Sequence, residues 1–76
     1  MSGSKIVKQI LIENKMPIKD IADKMGIKPQ SLSNKISRDS FTLEDILIIS
    51  DILGCDVNFT MRDTGKVIIP DIPNYK

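Results

Sequence analysis

The chain has 76 residues, 41% of them hydrophobic and 28% charged, with a net charge of +1. That describes one globular domain near the lower size limit for a self-sufficient core. Without histidine and with Cys55 as the lone cysteine, one chain can form neither an internal disulfide nor a tetrahedral zinc site, and no apolar run approaches the roughly 20 residues of a membrane span.

Residues 1–4 are set apart from the domain as a flexible N-terminus or a remnant of expression, with Ser4 the expected N-cap of a first helix. Ile6, Val7, Ile10 and Leu11 then repeat at helical spacing as far as Asn14. Pro17 closes that helix. Ile21, Ala22 and Met25 form one face of a second helix, over about residues 18–25. Gly26 follows, where a helix end calls for a left-handed residue. Pro29 is suited to the first position of a third helix, over 29–37, because its missing N–H is not needed there. Leu32 and Ile36 form the buried pair of that helix. Gln30, Ser31, Ser33, Asn34 and Lys35 are left over, all able to hydrogen-bond and none required by the core. A glycine turn joining two helices, the second polar outside, suits the DNA major groove.

Ser37 to Ser40 read as a polar loop. Thr42 is the expected N-cap of a fourth helix over Leu43–Leu53, with Glu44 and Asp45 at its positive end and Gly54 after its last turn. A helical wheel sets Leu43, Ile46, Leu47, Ile49 and Leu53 toward the core. It sets Ile48 and Ile52 among acidic residues on the other side. After Gly54 the period changes: Val57, Phe59 and Met61 alternate with Asn58 and Thr60, which is a strand pattern. Arg62 to Gly65 are turn residues. Lys66 to Ile69 form a second strand-like run that Pro70 stops. Residues 55–69 therefore read as a β-hairpin and 70–76 as an extended, mobile tail.

At Asp20-Ile21-Ala22, Met25-Gly26-Ile27 and Leu32-Ser33 the chain resembles the Cro/cI-like (XRE) family of phage-repressor helix-turn-helix domains. These residues stand where that family has E-L-A, L-G-V/I and I-S. The resemblance runs from about Lys5 to Gly54. It departs from the pattern in two places. Pro17 and Ile18 replace a capping Ser or Thr and a DNA-reaching Gln, and Lys28 replaces the Ser or Thr that usually starts the recognition helix. A hairpin where the family commonly adds a helix is a further difference. The resemblance implies a mainly α fold: a four-helix repressor-like domain over 5–54, followed by the hairpin. It also implies sequence-specific binding to a duplex DNA operator as a small prokaryotic or phage transcriptional regulator, in the role of a repressor. The rival reading is an antitoxin or anti-repressor type of interaction module on the same fold.

On this reading Gln30, Ser31, Ser33 and Asn34 are candidate base contacts. Lys19, Lys28, Lys35 and Arg38 are candidate phosphate contacts. Residues 1–40 hold eight Lys or Arg against four Asp or Glu, and residues 41–76 hold three against six. The basic half thus coincides with the helix-turn-helix. Ile48, Ile52, Val57, Phe59, Val67 and Ile69 are candidates for a homodimer interface, since one motif reads only half a site. No glycine-rich phosphate loop or carboxylate pair suggests an enzyme. No cofactor, metal, small-molecule ligand or membrane partner is expected, and Cys55 is expected to be a small buried hydrophobe in a reducing cytoplasm.

Overall fold

The computed structural model describes residues 2–75. Four helices, α1 (Gly3–Asn14), α2 (Ile18–Met25), α3 (Pro29–Arg38) and α4 (Leu43–Leu53), precede two short strands, β1 (Phe59–Thr60) and β2 (Val67–Ile68). The fold is mainly α with a C-terminal antiparallel hairpin, as the pattern predicts.

The first helix starts earlier than expected. Its N-cap is Ser2, whose hydroxyl accepts the Lys5 amide. Ser4 is buried. Its amide donates to Asp39 Oδ1 at 2.9 Å and its hydroxyl to the Ile36 carbonyl at 2.8 Å. Both serines satisfy the local capping preference, and these bonds to the end of α3 give Ser4 the interior position. Residues 2–4 are therefore part of the folded domain. A Cβ on Gly3 would lie 3.3 Å from Cβ of Phe41, so the first turn packs closely on the approach to α4. Met1 lies outside the described residues.

The α1 helix ends with Lys15 in the left-handed region, at φ 63°, its amide on the Leu11 carbonyl. Pro17 serves as the N-cap of α2. The α2, α3 and α4 helices then end in one way. A left-handed residue follows each (Gly26, Asp39, Gly54), and the next amide reaches back five residues: Ile27 to Ala22, Ser40 to Lys35, Cys55 to Ser50. This is the Schellman arrangement, which satisfies carbonyls the last turn leaves open. At Gly26, φ is 77° and nothing lies within 4 Å of an added Cβ. Backbone angle, not space, is what glycine supplies there. The expected loop 37–40 is shorter than predicted, since α3 continues through Arg38.

The core joins Val7 of α1, Ile21 and Ala22 of α2, Leu32 of α3, and Ile49 and Leu53 of α4. Each large side chain contributes about 1.5–3 kcal/mol by leaving water. Leu32, 1% exposed, fixes which face of α3 turns outward. Asn14 Nδ2 ties α1 to the α4 terminus through the Leu53 carbonyl at 2.8 Å. Thr42 and Asp45 form a reciprocal capping box at the start of α4.

Leu43 departs from the wheel: it is 57% exposed, because it sits in the first turn of α4, which projects past the core. Ile52, placed by the wheel on the outer face, packs partly against the core cluster. Ile48 is half-buried.

The hairpin is narrower than 55–69. Phe59 pairs with Ile68 and Thr60 with Val67. The Met61 amide donates to the Lys66 carbonyl and the Gly65 amide to the Met61 carbonyl, with Gly65 at φ 74°. Among the described residues, neither strand packs against a helix. Only the base of the hairpin, at Val57 and Ile69, meets α4, around a cavity of about 310 Å³ that Leu47, Cys55 and Ile72 also line. The tail is extended but anchored: the Tyr75 hydroxyl donates to Asp51 Oδ2 on α4. Cys55 is half-buried.

Candidate nucleic-acid interface

The α3 helix stands against α2 and α1, with Leu32 buried and Ile36 half-buried on the inner side. Gln30, Ser31 and Asn34 are exposed, and Ser33 is half-buried at the edge. Gln30 and Asn34 are four residues apart and hydrogen-bonded: Gln30 Nε2 donates to Asn34 Oδ1 at 3.1 Å. They therefore occupy one stripe, in line with helical geometry. Ser37 continues that stripe, seven residues after Gln30, and is also exposed. The sequence pattern places Ser37 at the junction of the helix over 29–37 and the loop 37–40, and the structure puts it inside α3. Its spacing from Gln30 and Asn34 was the signal that places it on the helix.

The cationic candidates separate. Lys19, Lys28 and Arg38 are exposed. Lys28 is the N-cap of α3 and Arg38 its last residue, so charge brackets the polar stripe. Lys35 is committed elsewhere: its ammonium lies 3.0 Å from Asp45 Oδ2. Burial acts to raise the Asp45 carboxyl. The Thr42 amide and the Lys35 ammonium outweigh it, and the group is held below the usual carboxylate value. The Lys35 charge thus ties α3 to α4. Lys24 shares a groove with Asp51, Ile52 and Tyr75, away from α3.

The α1 and α4 helices each have a side-chain N-cap, in Ser2 and Thr42. Among the described residues, α2 and α3 have none: Pro17 and Lys28 make no side-chain capping bond. The positive N-terminal ends of both motif helices are therefore open to an outside acceptor such as a phosphate oxygen.

The interface candidates on the C-terminal half differ in exposure. Phe59 (48%), Val67 (52%) and Ile69 (76%) are exposed, as are Met61, Ile68 and Ile72. Val57 is half-buried at the hairpin base, and Ile48 and Ile52 lie on α4. Among the described residues, no group of His, Cys, Asp and Glu is placed to hold a metal ion, and no helix is long and apolar enough to cross a membrane.

A family model described as helix-turn-helix matches residues 7–59, the greater part of the chain. The match covers all four helices from Val7 and stops at the first residue of β1, so most of the hairpin lies beyond it. Among curated proteins and solved structures, none matches closely enough to count as a relative.

Proposed function

From the premise that this chain belongs to the Cro/cI-like (XRE) helix-turn-helix family of DNA-binding transcription regulators, we propose that it is a repressor that binds a specific duplex operator through α3. The observation that carries this reading is the outer stripe of α3, with Gln30, Ser31 and Asn34 exposed and Leu32 buried behind them. Short amide and hydroxyl side chains at that position can reach base edges in the major groove. Lys19, Lys28 and Arg38 supply phosphate contacts, with the uncapped ends of α2 and α3 beside them. Lys35 contributes position more than contact, because Asp45 holds it.

The regulator works as a homodimer on a two-fold operator. The support lies in the hairpin, whose two faces expose Phe59 and Ile68 on one side and Val67 and Ile69 on the other. A lone two-stranded hairpin is marginal in water, and a second copy supplies the missing cover.

Two measurements test this reading. A gel-shift titration against the DNA flanking this protein's own gene, at about 50 and 200 mM salt, should show affinity falling at least tenfold, as three or more phosphate contacts require. Affinity that stays flat, or no shift at all, would favour the protein-interaction reading. Sedimentation should show a dimer at tens of micromolar and a monomer after deletion of residues 55–76. A full-length chain that stays monomeric with and without DNA refutes the dimer.

A further inference from the structure

The hydrogen bond between Gln30 and Asn34 limits what Gln30 can read. A glutamine amide carries two N–H donors and one carbonyl acceptor. One N–H is held by Asn34 Oδ1 at 3.1 Å. What remains for an outside partner is one donor and one acceptor on a planar group. Adenine offers the complement in the major groove, an acceptor at N7 beside a donor at N6. Guanine offers two acceptors, N7 and O6, so O6 would face the Gln30 carbonyl with no proton between them.

We propose that Asn34 is a positioning residue: it fixes the Gln30 amide so that the two side chains together read a single adenine, not one base each. This rests on the reading of α3 as the groove-reading helix. An unheld glutamine loses side-chain rotamer freedom on binding, which costs affinity, and a partner one helical turn away meets part of that cost beforehand. The start of the neighbouring helix α2 supplies no amide side chain for this role. Pro17 makes no side-chain capping bond, and Ile18 is an apolar residue packed on the core.

The test is selection from a randomised duplex library by the full-length chain, its Gln30→Ala, Asn34→Ala and Asn34→Asp variants, with circular dichroism confirming that each is folded. Wild type should select one adenine per half-site, preferred by about tenfold. Gln30→Ala should lose that preference. Asn34→Ala should weaken it at the same position and create no change elsewhere. Asn34→Asp keeps an acceptor for Gln30, so it should retain the adenine while binding all sequences more weakly. If Asn34→Ala instead erases a preference at a second base pair and leaves the Gln30 position intact, Asn34 is an independent base contact. That result overturns the proposal and leaves α3 as the reading helix. If neither Gln30→Ala nor Asn34→Ala alters the selected sequence, the assignment of α3 falls and the proposal with it.

Discussion

Replacing Asp45 by Asn removes one negative charge and little else. An asparagine Oδ1 can still accept the Thr42 amide, so the capping box keeps its geometry. Two electrostatic contributions disappear. One is the contact with Lys35 at 3.0 Å, between side chains 32% and 17% exposed. At that exposure an ion pair is worth about 0.5–1 kcal/mol. The other is the favourable position of a carboxylate in the first turn of α4, worth about 0.3–1 kcal/mol. The expected cost is about 1–2 kcal/mol at pH 7, a fall in Tm of about 5–15 °C in a domain this small. The pH dependence follows from the direction of the shift. The folded Asp45 carboxyl lies below its ordinary value of 3.8, so its stabilisation is present above that value and is lost as pH falls through the folded one. Urea unfolding of both proteins, followed by circular dichroism, should therefore show a difference at pH 7 that shrinks as pH falls below 3.8. The same substitution frees Lys35 on α3 and should tighten non-specific DNA binding, with a salt slope steeper by about one contact. A variant as stable as wild type at pH 7, or a difference that does not shrink as pH falls below 3.8, refutes the assignment of these contributions to Asp45.

Gly26→Ala should destabilise by about 1–2 kcal/mol, measured by thermal unfolding, since the site has room for a methyl group but φ is 77°. No cost would mean that the turn relaxes to another path. Tyr75 is the sole tyrosine in a chain without tryptophan, so its phenol can be titrated directly by ultraviolet absorbance. The hydrogen bond to Asp51, with desolvation and the nearby carboxylate charge, raises it above 10.0, and Asp51→Asn should bring it back. Because the folded value is raised, the contact stabilises the tail fully below pH 10 and is lost as pH rises through the folded value. An identical titration in the Asp51→Asn variant would show that the tail is not anchored there.

The helices were legible because their signals are local. Ile21, Ala22, Met25 and Gly26 specify α2 and its end within six residues. Thr42 and Asp45 specify the start of α4 within four. The features that escaped depend on distant partners. Ser2 and Ser4 are equivalent by local rules, and the choice between them is made by Asp39, 35 residues further on. Lys35 reads as a free surface cation until α4 brings Asp45 beside it. Tyr75 reads as part of a loose tail until the chain returns to Asp51. Leu43 fits the apolar wheel of α4, but no other element reaches far enough to cover it. Alternation revealed the hairpin. It did not reveal that pairing would be limited to two residues per strand, or that, among the described residues, no helix would lie against them. At the interface, residue type and spacing were enough to nominate Gln30 and Asn34. The bond that links them needed coordinates.

The central claim, that the outer face of α3 reads duplex DNA, is tested most directly by nuclear magnetic resonance. Backbone amide shifts of the ¹⁵N-labelled chain should be followed while a duplex carrying the selected sequence is added. The largest changes should fall on residues 28–38 and at the start of α2, with the side-chain amides of Gln30 and Asn34 moving together. The hairpin tip, Arg62 to Lys66, should move little. Changes centred on the hairpin, with α3 unaffected at saturation, would contradict the account.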